Sequence, residues 1–359
     1  MPSLWTRMDL DLDEWSQWDT QLLRLALERS ANLPLKIQVR ALHNVEDGHV
    51  LTLLAEHSNR WQTATFTMLP SSFRWILRAQ GGLRSLTTLE IWMPPGIHPP
   101  PEVQWPSQIF EIAPSLANLS SSASICPTVP WHSTRLKSFR CQVSRAEDVP
   151  DALSSMARCS GWTSCTLYLS TLATPSTITT PPVEFNTRQF EVRTNTRQSL
   201  LGNLLSNVTF ASLERLGLMV PRVAFPSSHV LNFASRSSLS TSLETLSLMV
   251  RVTDHDLLRC LASLRSLKGL WVRDIGRLRD VPEYVVITDH FLHGLATAIT
   301  SLNCLELTSH LKFKDESLIE FVAPRAGTTR IRLHCFPGAR IIDETALRQL
   351  HNYGVAVLG

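Results

Sequence analysis

A short apolar phrase returns along this chain, and each return is followed at a similar distance by an aspartate that opens an amphipathic stretch. Leu243, Leu246 and Leu248 lead to Val252-Thr253-Asp254 and then Leu257, Leu258 and Leu261. Leu302, Leu305 and Leu307 lead to Phe313-Lys314-Asp315 and Leu318, Phe321 and Val322, while Ile331 and Leu333 lead to Ile342-Asp343, Leu347 and Leu350. Alternate strand residues point to one side, so the second and third leucines of the phrase enter a core and the residues between them face outward. Parallel strands need a crossover, and the segments opening at Asp254, Asp289, Asp315 and Asp343 read as crossover helices. The aspartate, or the threonine before it at Thr253 and Thr288, is expected to accept free amide hydrogens of its own first turn and to favour the positive helix end. A unit of this kind buries its apolar face only by stacking on its neighbours, which directs the chain toward a solenoid.

Measured between second leucines, Leu216 to Leu246 is 30 residues, and the next steps, to Leu270, Leu305 and Ile331, are 24, 35 and 26. These bracket leucine-rich spacing of roughly 20–29 residues with insertions. The expected fold is therefore α/β, an irregular leucine-rich-repeat solenoid with a parallel β-sheet on the concave face and helices on the convex face. One solenoid domain is expected over 1–359: a helical cap over 1–34 and repeats over 35–359, with loop insertions near 93–107, 120–135, 170–182 and 273–286. Periodicity predicts helices over 19–31, 47–57 and 151–158. Strands are predicted at Leu35 to Val39, Trp61 to Met68, Leu89 to Ile91, Leu136 to Cys141 and Thr166 to Leu169.

Hydrophobic residues, 43% of the chain, suffice for an extended core, and the net charge is only +3. The basic residues are mostly arginines scattered near acids, as in Arg273-Asp274 and Arg279-Asp280, rather than the clustered stripe that nucleic acid requires. The seven cysteines (Cys126, Cys141, Cys159, Cys165, Cys260, Cys304, Cys335) are widely spaced and include no C-x-x-C. No segment resembles a signal peptide or reaches membrane-spanning length. An intracellular chain, cytoplasmic or nuclear, is expected, and the sequons at Asn118 and Asn207 then carry no sugar.

Chemistry-bearing motifs are thin. His290 and His293 beside Asp289 share a helical face but lack further ligands at a matching spacing, and Cys159 and Cys165 with Cys141 do not have zinc-finger spacing. There is no G-x-S-x-G elbow, and Gly81-Gly82 lacks the Lys-Ser or Lys-Thr ending of a phosphate cradle. Neither enzyme activity nor any catalytic residue, cofactor or metal is expected. Trp61 and Trp75 read as core. Trp92 and Trp271 instead fall at outward strand positions, where Glu90, Arg140, Met219, Arg273, Glu306 and Arg332 join them as a candidate partner-binding face, since aromatics and arginines are typical interface anchors.

The chain also resembles a family. Pro2-Ser3-Leu4-Trp5-Thr6-Arg7, Leu33-Pro34-Leu35 and Glu56-His57-Ser58-Asn59-Arg60-Trp61 are similar to the segment that follows the F-box in fungal (basidiomycete) F-box/leucine-rich-repeat proteins. The likeness continues through Phe110-Glu111-Ile112-Ala113-Pro114-Ser115-Leu116, Pro130-Trp131, Cys159 through Cys165-Thr166-Leu167, Arg236-Ser237-Ser238 and Thr288-Asp289-His290-Phe291-Leu292. The resemblance implies a substrate receptor of a cullin-type ubiquitin ligase, in which the F-box docks on the adaptor and the repeats hold a target protein. An F-box would need a further segment ahead of Leu4, where three residues stand, so binding of the adaptor is expected only if an F-box lies upstream. A stand-alone interaction scaffold is the alternative. The asparagine or cysteine that ends a standard repeat phrase is absent after Leu248 and Leu307, so irregular turns are expected.

Overall fold

The computed structural model describes residues 1–94, 113–122, 136–158, 162–170, 182–194, 200–275 and 284–358. Most of each expected loop insertion, together with Phe110 to Ile112, Pro130-Trp131, Cys126 and Cys159, lies outside these residues. The chain forms two compact units, Met1–Ser144 with Asp148–Cys165, and Arg145–Glu147 with Thr166–Gly359.

In the first unit, strands β1 (Arg7–Asp11), β2 (Leu35–Ala41), β3 (Trp61–Met68), β4 (Thr88–Trp92), β5 (Asn118–Ser122) and β6 (Ser138–Val143) pair in parallel and in chain order. Strand β2 makes the reason plain: Leu35, Ile37, Val39 and Ala41 are buried while Lys36, Gln38 and Arg40 are exposed. Register then stacks Met8, Ile37, Ala64, Leu89, Leu119 and Phe139 into one inward row. Helix α1 (Gln17–Arg29) starts at a reciprocal cap between Ser16 and Asp19 and buries Leu23 and Leu27. Helices α2 (His49–Glu56) and α3 (Val149–Arg158) fall where the periodicity places them.

Two expectations change here. Residues 1–34 are not purely helical, because Met8 and Leu10 alternate with Arg7, Asp9 and Asp11 and add β1 at the sheet edge. Trp75 is half-buried rather than core: its ring lies against Gly48, where a Cβ would meet Trp75 Cδ2 at 1.9 Å, and its N–H donates to Val45 O at 3.0 Å. Trp61 is fully buried, beside Phe66.

Strand β7 (Ser164–Leu169) spans the boundary residue. In the second unit, β8 (Val183–Phe185) pairs with β10 (Val208–Phe210), and β9 (Gln189–Thr194), β11 (Arg215–Ala224), β12 (Thr245–Arg251), β13 (Gly269–Arg273), β14 (Cys304–Ser309), β15 (Arg330–Cys335) and β16 (Ala356–Leu358) form a parallel sheet in that order. Phe190, Leu216, Leu246, Leu270, Leu305 and Ile331 make one inward row, and Val192, Leu218, Leu248, Val272, Leu307 and Leu333 make the next. Helices α4 (Leu200–Asn207), α5 (Ser227–Arg236), α6 (Leu239–Ser242), α7 (Asp254–Leu261), α8 (Asp289–Ala298), α9 (Asp315–Val322) and α10 (Glu344–Asn352) supply the crossovers. Leu216, Leu218, Leu246 and Leu248 meet Val230, Ala234, Leu257 and Cys260 from α5 and α7 across the core. This is the leucine-rich-repeat α/β architecture that the phrase requires.

The threonines cap as expected, Thr253 Oγ1 accepting the Asp256 amide and Thr288 Oγ1 the Phe291 amide, both at 3.1 Å, and so does Asp343, whereas the other three helix-opening aspartates act differently. Thr253, Thr288, Lys314 and Asp343 are the residues at the helix caps, and Asp254, Asp289 and Asp315 stand one position inside. Although Asp254 also accepts the amide of His255, each of the three reaches into the next repeat. Asp254 Oδ2 accepts the Thr288 hydroxyl (2.8 Å), Asp289 Oδ1 the Lys314 amide (2.8 Å) and Asp315 Oδ2 the Asp343 amide (3.0 Å). Asp343, at the end of this series, caps its own helix through the amides of Thr345 and Ala346. The result is a ladder that fastens each helix start to the one before.

Hydrogen bonds from the Ser317 hydroxyl and the Lys314 amide hold the Asp289 carboxyl below the usual carboxylate range. Its contribution is therefore present above the unfolded carboxylate pKa and is lost as pH falls through the lowered folded value. Asp289→Ala is expected to cost about 1 kcal/mol at neutral pH, with the difference from wild type closing in acid. Urea titrations across pH check this, and a difference independent of pH contradicts it.

Several arginines that read as scattered solvated charges instead serve as caps for carbonyls. Arg60 donates to Leu27 O, Ser30 Oγ and Leu33 O, closing the C-terminal end of α1. Arg236 does the same for Leu205 O and Val208 O after α4, and Arg325 for Ala296 O in α8. In all three cases the arginine lies one repeat beyond the helix it closes, satisfying last-turn carbonyls that have no partner within the helix.

Candidate interaction surface

The outward strand positions form rows across each sheet, and the two units differ in what those rows carry. In the first unit the middle row runs Asp9, Gln38, Thr65, Glu90, Ser120 and Arg140, and the next runs Asp11, Arg40, Thr67 and Trp92. Arg7 pairs with Asp9 (3.2 Å), Arg40 lies 3.9 Å from Asp11, and the Thr65 hydroxyl donates to Glu90 (3.4 Å). Glu90 and Trp92 are half-buried and Arg140 is exposed. This face is threonine-rich and nearly balanced in charge.

In the second unit the corresponding rows carry Glu191, Gly217, Ser247, Trp271, Glu306 and Arg332, then Arg193, Met219 and Met249, and Arg273, Thr308 and His334. Glu306 is a hub. It accepts the Trp271 indole N–H at 3.2 Å, lies 3.8 Å from Arg332, and has His334 Nε2 at 3.4 Å without hydrogen-bond geometry. Trp271 lies flat because its own strand offers Gly269, where a Cβ would come within 2.8 Å of the ring. Gly217 does the same for Glu191, whose carboxylate takes two hydrogen bonds from Arg193 at 2.9 and 3.2 Å. Arg193 also lies over the Tyr168 ring at 5.5 Å, and Arg273 over Phe336 at 5.6 Å, with His310 stacked on Phe336 at 4.2 Å. The two glycines therefore let polar and aromatic side chains fold down onto the sheet and be held before any partner arrives.

The eight outward residues read from the sequence all sit on outward strand positions, but they fall into two groups. Met219, Trp271, Arg273, Glu306 and Arg332 share the second-unit face, whereas Glu90, Trp92 and Arg140 belong to the first unit. Glu191, Arg193, Met249 and His334 were missed on the second-unit face. Period-two alternation around Phe190-Val192, Leu246-Leu248 and Ile331-Leu333 was a signal that could have found all four. Phe336 follows β15 and carried no periodic signal.

Other candidates resolve into structure. Asp289 and His290 belong to the inter-repeat ladder, His290 Nδ1 lying 3.2 Å from Asp254, and His293 is exposed. Among the described residues no cluster of histidine, cysteine and carboxylate side chains has metal-binding geometry. No helix among them is long and apolar enough to cross a membrane. Burial pushes the Cys260 thiol up to about 11. An open polar groove of about 880 Å³ lies in the first unit between residues 12–24 and 43–50. Asp13 closes one side by accepting the Leu42 and His43 amides, so its carboxylate pins the loop.

No protein-family model matches the chain, and no curated protein matches it. Among solved structures it is similar to a chain from the crystal structure of the yeast Rad7 and Elc1 complex, at 13% identity and a TM-score of 0.42, covering 93% of this chain and 87% of that one. It is also similar to a chain from the TLR13–ssRNA13 complex, at 12% identity and a TM-score of 0.37, covering 82% and 45%. Both likenesses are distant, and neither bears on what this chain binds.

Proposed function

We propose that the chain is a protein-binding leucine-rich-repeat module that holds its target on the second-unit sheet face. The observation that carries this reading is the Trp271–Glu306–Arg332 arrangement: an aromatic and an arginine, the residue types of interface hot spots, held in place on an outward face by a carboxylate. Trp271→Ala and Arg273→Ala are expected to weaken a target's binding by roughly tenfold or more each while thermal unfolding stays within a few degrees of wild type. Unchanged affinity with an intact fold rejects the assignment.

The finer reading is the substrate-recognition part of an F-box-type ubiquitin ligase receptor. It is supported by the family resemblance and by the apolar side of α1 that the first repeat leaves uncovered. Trp18 and Leu22 are 76% and 60% exposed on that helix, and Leu4 nearby in sequence is 75% exposed. An F-box supplied upstream would cover such a face. Affinity purification of the chain with any in-frame upstream sequence restored tests it: recovery of cullin and adaptor supports the ligase role, and recovery of a target without them leaves a stand-alone scaffold.

A further inference from the structure

The outward rows of β9 to β15 are unequal in charge. Arg193, Arg215, Arg251, Arg273, Arg330 and Arg332 face outward with Glu191 and Glu306, six cations against two anions, and Arg251 lies over the Tyr284 ring at 5.7 Å. Arg193 is bound to Glu191, and Arg332 is paired with Glu306. Arg215, Arg273 and Arg330 are exposed and have no carboxylate within ion-pair distance among the described residues. Met219 and Met249 share the row of Arg273, Arg215 and Arg330 share a row four residues back along the strands, and the flat ring of Trp271 lies between the two rows, with Gly217 and Ser247 alongside. Such a face has an apolar cluster of Met219, Met249 and Trp271 beside a middle row that carries Glu191 and Glu306, and three cations without a counter-ion among the described residues. The first-unit face, with its Arg7–Asp9 and Arg40–Asp11 pairs, lacks this imbalance.

We infer that this surface docks an extended acidic peptide segment of a partner protein, its carboxylates meeting Arg215, Arg273 and Arg330 and an apolar side chain resting on Met219, Met249 and Trp271. The inference rests on the protein-binding reading and adds the chemistry of the partner. Arg215 on β11 and Arg330 on β15 are four strand spacings apart, about 19 Å at ~4.8 Å per strand. An extended chain spans that in about six residues, and opposite charge across the contact speeds encounter and fixes register. Methionines suit a variable apolar residue, since their side chains adapt to the shape they meet. A nucleic-acid strand fits less well. Glu191 and Glu306 stand in the middle row between the arginines, whereas a phosphate backbone calls for an uninterrupted basic track.

The test is selection of a displayed random library of peptides about twelve residues long, twice that span, against the full chain. Affinities of the enriched peptides, and of a uridine oligonucleotide of equal length, are then measured by fluorescence anisotropy. The enriched peptides are expected to be acidic with at least one large apolar residue. Their affinity should fall roughly tenfold or more in an Arg273→Glu, Arg330→Glu double variant of unchanged melting temperature, and several-fold on raising salt. Exchanging their acidic residues for lysine should restore binding to that variant. Neutral or basic enriched peptides, acidic peptides indifferent to the double variant, or tighter binding of the oligonucleotide would overturn the inference. Neutral peptides that lose binding to Trp271→Ala leave the protein-binding reading standing and remove only the acidic specificity. Peptides indifferent to both Trp271→Ala and the charge changes, or no enrichment at all, remove both.

Discussion

Replacing Phe210 by alanine is expected to lower the free energy of unfolding by about 3–5 kcal/mol. The Phe210 ring is 2% exposed and stacks on Phe185 at 5.1 Å, meets Phe190 at 4.9 Å and takes Phe233 edge-on at 5.8 Å. Those neighbours come from different elements: Phe185 from β8 in the small sheet, Phe190 from β9 in the large one, and Phe233 from α5. Removing the ring leaves a cavity that none of them can fill without moving its own element, so relaxation recovers little of the loss. The Phe210 amide donates to the buried Ser237 hydroxyl, which fixes the ring's origin further. Phe210→Leu keeps most of the volume and should cost clearly less. Urea unfolding of the two variants decides the matter, and a loss below about 1 kcal/mol for alanine means that the cluster collapses freely.

That cluster also shows where the sequence was legible. The leucine phrase was readable from Leu213 onward because its inward positions repeat the same residue type, and the register of β11 through β15 follows from it. Phe185, Phe190 and Phe210 do the same work between Pro182 and Leu213 with a different side chain, so a search for the leucine strand phrase passed over β8, β9 and β10, and with no phrase before it the leucine pairs of α4 were passed over too. The outward face was legible wherever alternation was clean, and it placed Trp271, Glu306 and Arg332 on one side of the sheet. What alternation cannot convey is how those side chains lie. That Trp271 folds back on Gly269 and that Glu191 covers Gly217 depends on the absence of a Cβ, which becomes informative only when the neighbour is known. The arginine caps escaped for a related reason. Arg60, Arg236 and Arg325 bind carbonyls far away in sequence, and a carbonyl leaves no residue-specific mark. In hindsight, two of them, Arg60 and Arg236, sit within the stretches that carry the family resemblance, so at least part of that resemblance falls on residues closing helix ends.

Asp274→Ala is the second substitution expected to have a large effect, about 3–5 kcal/mol. Asp274 is fully buried just past β13. Its Oδ1 accepts the Val286 and Ile287 amides at 2.7 and 3.0 Å, and its Oδ2 accepts the Ser309 hydroxyl and the His310 amide at 3.0 and 3.1 Å. One carboxyl group thus ties the end of β13 to the segment entering α8 and to the end of β14. Alanine strands three buried or half-buried amides and a hydroxyl. Because Asp274 adjoins Arg273, the same change should also loosen the outward face. Asparagine separates shape from charge. It keeps one oxygen acceptor but turns an amino group toward donors, so a smaller loss of about 1–2 kcal/mol is expected.

Burial pushes the Asp274 pKa up, opposed by the four donors. With the folded value above the unfolded one, the carboxyl is protonated in both states at low pH. As pH rises, the unfolded chain ionises first, and wild type loses stability until the folded value is passed. Asparagine has no such slope, and the lowered aspartates, Asp289 and Asp343 among them, contribute equally to both proteins and cancel in the difference. The gap between wild type and Asp274→Asn should therefore narrow as pH rises above the ordinary carboxylate pKa of about 4 in urea titrations. A gap that widens with pH would mean that the four donors, rather than burial, set the charge on this group.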